Sequence, residues 1–316
     1  MTFPVSRRQF CSVAAAACLP AAVSAGLFTP AERRFTMDLR CGSIGVQADQ
    51  QRAIALAAEH GFESVTPNAG FLATLSTAER KEIAAELQEH GLKWGAAGLS
   101  VDFRGTDSAF RDGLARLPKE ADALRDAGAT RIGTWIRPNH SELTYVQNFR
   151  QHADRLRQCC VILKDHGLRF GMEYVGPKTL WAAKQHPFIH TMAETRDLIE
   201  EIGLDNVGFI LDSWHWYTAH ESVEDLKSLR NEDIVACDLN DAPAGIPIDE
   251  QIDNRRELPA ATGVIDLAAF LQTLAEIGYD GPIRAEPFNA ALNKMDDAAA
   301  VAATATAMRK AFALVK

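Results

Sequence analysis

Residues 162–175, Ile162-Leu163-Lys164-Asp165-His166-Gly167-Leu168-Arg169-Phe170-Gly171-Met172-Glu173-Tyr174-Val175, hold a complete change of conformation in fourteen positions. A helical pattern over Tyr145–His166 stops at a glycine, and a strand over Leu168–Val175 starts at once and carries a carboxylate near its end. Glycine readily takes the left-handed backbone conformation that closes a helix. The same phrase returns as His60-Gly61-Phe62, His90-Gly91-Leu92, Ala127-Gly128-Ala129 and Ile277-Gly278-Tyr279.

Extended in both directions, the reading places strands at Leu39–Val46, Phe62–Thr66, Leu92–Val101, Thr130–Ile136, Leu168–Val175, Val207–Asp212, Ile234–Leu239 and Pro282–Pro287. Helices fall between and after them, at Gln50–His60, Thr77–His90, Ser108–Ala127, Tyr145–His166, Thr191–Ile202, Val223–Leu229, Leu267–Ile277 and Asp297–Leu314. Eight strand–helix units in one chain predict an α/β fold, a single-domain (β/α)8 TIM barrel. The alternative is a doubly wound sheet, but no glycine-rich phosphate loop follows the first strand. The one long irregular stretch, Ala242–Gly263, becomes a loop on the catalytic face.

The 316 residues are 47% apolar and 24% charged, which excludes a disordered or fibrous chain. A formal charge of −9 excludes a phosphate-binding nucleic-acid surface. Residues 1–25 read as an export signal. Ser6-Arg7-Arg8-Gln9-Phe10 matches a twin-arginine pattern, an apolar Ala-rich run follows, and Val23-Ser24-Ala25 offers small residues for cleavage. The apolar run is shorter than the roughly 20 residues that a membrane span needs, so no membrane insertion is expected once the signal is removed. The expected organisation is a twin-arginine signal over 1–25 and the barrel over 26–316, handled by the twin-arginine export machinery and delivered to the periplasm. Signal removal takes two arginines and no acid, moving the formal charge from −9 to −11. Cys41, Cys159, Cys160 and Cys237 remain, without the spacing of a zinc site.

In a barrel, the C-terminal ends of the strands converge on the active site. Four successive strands end in Met172-Glu173, Leu211-Asp212, Cys237-Asp238 and Ala285-Glu286. A single strand-end acid is ordinarily a helix cap. Four on one rim repel one another, and a divalent cation relieves that cost. His215, three residues past Asp212, stays near such a centre as a substrate contact. Trp135 and Trp214 offer aromatic faces for a sugar ring, whereas Trp216 and Tyr217 read as lid packing.

The Glu173 strand, Asp212-x-x-His215, Asp238-Leu239-Asn240-Asp241-Ala242-Pro243 and the Glu286 strand resemble the xylose isomerase-like TIM barrel superfamily, the sugar phosphate isomerase/epimerase group. The resemblance covers nearly all of the chain after the signal and implies one divalent metal, Mn²⁺ first, with Mg²⁺ or another dication as alternatives. Its implied ligands are Glu173, Asp212, Asp238 and Glu286. His215 matches the family's substrate-side histidine, and Arg256, or else Arg255, matches the arginine of the loop after strand seven. One departure stands out: the strand-seven ligand is usually His, and here it is Asp238. An all-oxygen set favours hard cations over zinc.

The implied function is a metal-dependent isomerase or epimerase acting on a ketose, keto-sugar or inosose. Glu173 and Glu286 exchange a proton through an enediolate, and a small sugar derivative, neutral or weakly acidic, is the partner. The alternatives are a lyase or hydrolase eliminating from 3-keto-glycosides or dehydrating an inosose, and a non-catalytic sugar-binding barrel. Barrels of this type often form homo-oligomers.

Overall fold

The computed structural model describes residues 33–316, and the export signal read over residues 1–25 lies outside them. Nine parallel strand segments form a nearly closed barrel: β1 (Thr36–Leu39), β2 (Ser64–Val65), β3 (Lys93–Trp94), β4 (Ala96–Gly98), β5 (Arg131–Trp135), β6 (Arg169–Glu173), β7 (Val207–Asp212), β8 (Ile234–Leu239) and β9 (Pro282–Ala285). Their order is β3-β2-β1-β9-β8-β7-β6-β5-β4. The segments β3 and β4 flank Gly95 and are two halves of the third barrel strand, so the ring has eight strand positions. A side chain at Gly95 would overlap the Asp38 carboxylate.

Eight helices cover the outside: α1 (Gln50–Glu59), α2 (Thr77–Glu89), α3 (Asp107–Asp126), α4 (Tyr145–Asp165), α5 (Met192–Ile202), α6 (Val223–Lys227), α7 (Leu267–Ile277) and α8 (Asp297–Phe312). The recurrent closing glycines Gly61, Gly91, Gly128, Gly167 and Gly278 all have φ between 67° and 85°, the left-handed region that a side chain disfavours. Apolar helix faces, such as Leu156, Cys159, Cys160 and Leu163 of α4, pack on the outside of the strands. Cys41, Cys159, Cys160 and Cys237 are all free thiols, three of them buried.

The first strand differs from expectation. It lies at Thr36–Leu39, and Cys41–Ile44 is a 3-10 turn closed by Gly45 at φ 79°. The turn carries Arg40 and Ser43 over the barrel mouth, where both reach the Glu286 carboxylate, at 3.1 and 3.5 Å.

The barrel interior is layered. Ala96, Ile210 and Ala236 form a small apolar plug. Gly171 gives Ile210 its room, since a Cβ there would lie 2.8 Å from Ile210 Cγ1 and 2.9 Å from Val235 Cβ. The layer above is charged. Asp38 of β1, Arg284 of β9, Asp238 of β8 and Asp212 of β7 are register partners from strand to strand.

Candidate active site

Asp212 ends β7 and begins the short helix Ser213–Thr218, whose first turn it caps by accepting from the Trp214 N–H at 2.8 Å. That turn presents His215 inward and sends Trp214 the other way. His215 Nδ1 accepts from the Gly176 N–H at 3.2 Å. Burial, followed by the charge of Arg256, pushes the imidazole down to about 3, so the ring is neutral. A neutral ring with an accepting Nδ1 carries its proton on Nε2. Nε2 looks toward Asp212 and Glu173, whose oxygens lie 3.7 and 3.8 Å away, and toward Arg256 Nη2 at 3.3 Å, a donor that competes with the Gly176 N–H for the ring's one lone pair. His215 is thereby set to donate to an oxygen between these acids.

The acids have unequal partners. Asp238 accepts from both edges of Arg284, Nε to Oδ1 at 2.5 Å and Nη2 to Oδ2 at 3.0 Å. Asp212 accepts from Arg256 Nη1 at 2.7 Å and from Asn240 Nδ2 at 2.9 Å. The Asn240 side-chain oxygen in turn accepts from the Glu286 N–H at 3.0 Å, so Asn240 ties two acid-bearing strands together. Glu286 faces Arg40 at 3.1 Å and Arg256 at 3.5 Å. Glu173 Oε1 is buried and has no hydrogen-bond partner.

Burial, then the charges of Glu286, Asp238 and Asp212, hold the Glu173 carboxyl well above its usual range. Burial outweighs the Arg256 charge and pushes Asp212 up to about 7. Glu286 is raised by burial first and Asp238 second. Burial opposes the charge on Arg256 and Arg284, but their carboxylate neighbours outweigh it and both stay cationic.

With every group ionised, the four strand-end carboxylates Glu173, Asp212, Asp238 and Glu286 outnumber the two buried guanidiniums by two, and Asp38, Asp253 and Arg40 around them leave the cluster negative, as a dication requires. Ligand atoms of Glu173, Asp238 and Glu286 lie within 4.8 Å of one another, and so do those of Glu173, Asp212 and His215. The unpartnered Glu173 oxygen, the charge deficit and the oxygen donors all fit a divalent metal. Glu173, whose Oε1 is unpartnered, is the freest to hold it, and Glu286 meets its two arginines only through longer contacts of 3.1 and 3.5 Å.

The cavity above these acids measures about 510 Å³ and is lined by Trp135, Glu173, His215, Arg256 and Glu286 among others. Trp135 is 40% exposed there. Trp214, expected to touch substrate, does not reach the cavity: it is fully buried, and the Arg256 guanidinium lies over its ring at 5.5 Å. The cap on Asp212 fixes the helix so that position 214 turns into the core. Arg256 rather than the exposed Arg255 enters the site, pinned by the Asp253 carbonyl at 2.8 Å and carboxylate at 2.9 Å. Its loop is clamped from within. Asp241 accepts from the backbone N–H groups of Ala242, Thr262, Gly263 and Ile265, and although burial opposes this, the four bonds hold its carboxyl below the usual range. Phe288, at φ 41°, covers the other face of Arg256 at 4.8 Å.

Sequence reasoning missed Arg284, Asn240, Arg40 and Asp253. Strand periodicity held the signal for Arg284, because a residue two before Glu286 on the same strand shares its inward face.

A profile of the xylose isomerase-like TIM barrel family matches residues 54–311. Inosose isomerase of Bacillus velezensis is 24% identical over 210 residues, which is 66% of this chain and 71% of that protein. Among solved structures, a xylose isomerase domain protein from Alicyclobacillus acidocaldarius superposes with a TM-score of 0.76 at 29% identity, over 86% of this chain and 96% of its own. The IOLI protein, solved with a binding zinc atom, gives a TM-score of 0.73 at 19% identity, over 89% of this chain and 99% of its own.

Two outcomes follow from this electrostatic arrangement. Carboxyls raised in the folded state favour folding while protonated, so the metal-free protein loses stability as pH rises from about 4 through 7. Added dication opposes that loss, and its thermal stabilisation is larger at high pH than at low pH in melting scans. Arg284→Met strands the Asp238 charge and costs about 3–5 kcal/mol in urea unfolding. Arg284→Met with Asp238→Leu recovers most of it.

Proposed function

The chain belongs to the xylose isomerase-like TIM barrel family, and on that footing we propose that it is a metal-dependent isomerase or epimerase of a ketose, keto-sugar or inosose. The observation that carries this reading is the pair Glu173 and Glu286. Both are buried at the cavity floor, with oxygens within 4.8 Å of each other's. A carboxylate beside an acidified C–H can take its proton, and a second carboxyl across the substrate can give one back. The relationship to inosose isomerase supports the substrate class.

A dication, Mn²⁺ in our reading, would be held by Glu173 and Glu286 with Asp212 and Asp238, and would supply the Lewis acidity that acidifies the C–H beside the substrate carbonyl. The remaining work falls to the chain. Glu173 removes the proton from the α-carbon, leaving the substrate as an enediolate. Glu286 returns a proton to the neighbouring carbon for isomerisation, or to the opposite face of the same carbon for epimerisation. His215 Nε2–H donates to a substrate oxygen without itself titrating, because its ring stays neutral. Arg256 stabilises negative charge from the loop side. Trp135, half in the cavity, excludes water and packs on the apolar face of the sugar. Elimination from a keto-glycoside starts with the same proton removal, and a protonated Glu286 can then serve the departing oxygen. We further propose that the twin-arginine segment takes the folded protein out of the cytoplasm.

The test of the chemistry is isotope exchange. In D₂O, the dication-loaded protein incubated with inosose and ketose candidates incorporates deuterium at the α-carbon, read by NMR. Glu173→Gln and Glu286→Gln each slow turnover at least ~10³-fold. Exchange that survives both substitutions removes these residues from the mechanism. For export, Arg7→Lys with Arg8→Lys leaves the chain in the cytoplasmic fraction, and secretion unaffected by the double change refutes the signal.

A further inference from the structure

Four arginines line the cavity: Arg40, Arg104, Arg256 and Arg284. Three of them face acids, namely Glu286, Asp212 and Asp238. Arg104 is different. Among the described residues no carboxylate lies within 4 Å of it, and neither its Nε nor its Nη2 has a hydrogen-bond partner. Only Nη1 is engaged, by the Trp135 carbonyl and at 3.5 Å by Thr134 Oγ1. The guanidinium is fixed between two rings, with Cζ 4.4 Å from the Phe103 centroid and 4.4 Å from that of Trp135. A second arginine without an acidic partner among the described residues, Arg137, lies 5.9 Å from the Trp135 ring. The two repel, and burial with this repulsion pushes Arg104 down to about 10. The Asp102 charge offsets this in part, yet a chain of net charge −9 keeps two guanidiniums without a direct ion-pair partner, among the described residues, beside its cavity.

Their position is informative. Arg104 sits in the segment after β4. In the strand order, β4 stands four places from β8 in either direction, so this segment faces the Asp238 strand across the mouth. The cavity thus carries Glu173 and Glu286 together with the guanidinium of Arg104, with apolar side chains such as Leu99, Val175 and Leu180 between the charges.

We propose that the substrate carries a carboxylate, which Arg104 receives through its free Nε and Nη2 edge with Arg137 adding charge at the mouth, while the ketone end lies against Glu173 and Glu286. Two parallel N–H groups match the two oxygens of a carboxylate. The turn offers little to a phosphate, since the Gly105 N–H is already given to Asp102. The ketone end of this assignment rests on the isomerase/epimerase reading, and the carboxylate end rests on Arg104 alone.

The test uses the dication-loaded full chain with D-fructose, D-fructuronate and D-fructose 6-phosphate, a series that varies the group at one end of a ketose. Affinity is read by calorimetry or Trp fluorescence, and α-exchange by NMR in D₂O. The expected result is fructuronate bound at least tenfold more tightly than fructose. Arg104→Met collapses that ratio to below threefold, and Arg104→Lys restores part of it. Melting curves verify that both variants fold. Equal binding of acid and neutral sugar, a preference that survives Arg104→Met, no binding of any probe, or tighter binding of the phosphate each overturns the carboxylate assignment. Selective fructuronate binding without α-exchange upholds Arg104 and counts against the isomerase/epimerase reading. Exchange of fructose without acid preference does the reverse.

Discussion

The bidentate pair between Asp238 and Arg284 is the constraint on which the rest of the site depends. These residues are register partners on adjacent strands, fully inside the barrel, with Asp212 next on one side and Asp38 next on the other. An unpaired charge at that depth costs several kcal/mol. Arg284 removes it for one acid, touches the field of Asp38 as well, and anchors its far edge on the Ala96 carbonyl at 3.3 Å. The pair also fixes what Asp238 can do. Both of its oxygens accept from Arg284, so Asp238 comes to any cation already charge-paired, while Glu173 and Glu286 face the cavity.

The second guanidinium is held in a different way. Arg284 is built into a strand, but Arg256 comes in on the long Ala242–Gly263 loop. Half of the buried positive charge therefore arrives only when that loop is seated. The loop is seated thoroughly. Asp241 gathers three of its N–H groups and that of Ile265 just beyond it, buried Gln251 donates to the carbonyls of Pro243 and Ile246, and Asp249 ties it to Lys178 and His220 at 2.8 Å each. Phe288 accepts a left-handed backbone, a cost of roughly 1–3 kcal/mol for a residue with a side chain, in the place where its ring covers Arg256. Strain at that point is consistent with a residue placed for the site and not for the fold.

The barrel was legible because its signals are local. A glycine after each of five helices and an acid after each of four strands can be read without knowing what lies across the ring, and the eight helices fall where periodicity put them. What escaped depends on partners far apart in sequence. Cys41–Ile44 reads as strand by apolar content, yet it turns to bring Arg40 to an acid 246 residues away. Trp214 looked like a sugar platform because it follows a functional aspartate, but the helix cap decides its direction, and caps are set in three dimensions. Arg284 lay on the right face of the right strand. Its role emerged only once register placed Asp238 beside it. Arg256 and Arg255 are indistinguishable as neighbours in sequence, and only the seating of the loop makes one buried and the other exposed.

Counting charge over the four strand-end acids and the two buried guanidiniums explains why acids and possible ligands are the same residues. Four carboxylates against two buried guanidiniums leave a deficit of two. Protons on the raised carboxyls can fill it, as can a dication. The two solutions exclude one another, because a carboxyl oxygen that holds a proton is a poor ligand. When the metal is bound, its charge lowers the proton affinity of the glutamates around it, and Glu173 is left ionised and able to act as a base. Without it, burial raises the Glu173 carboxyl toward its neutral form, which has no lone pair free to take a proton from carbon. Base strength and electrophilic assistance are therefore switched on together by a single event. The neutral His215 leaves this balance untouched, since it contributes a donor without contributing charge.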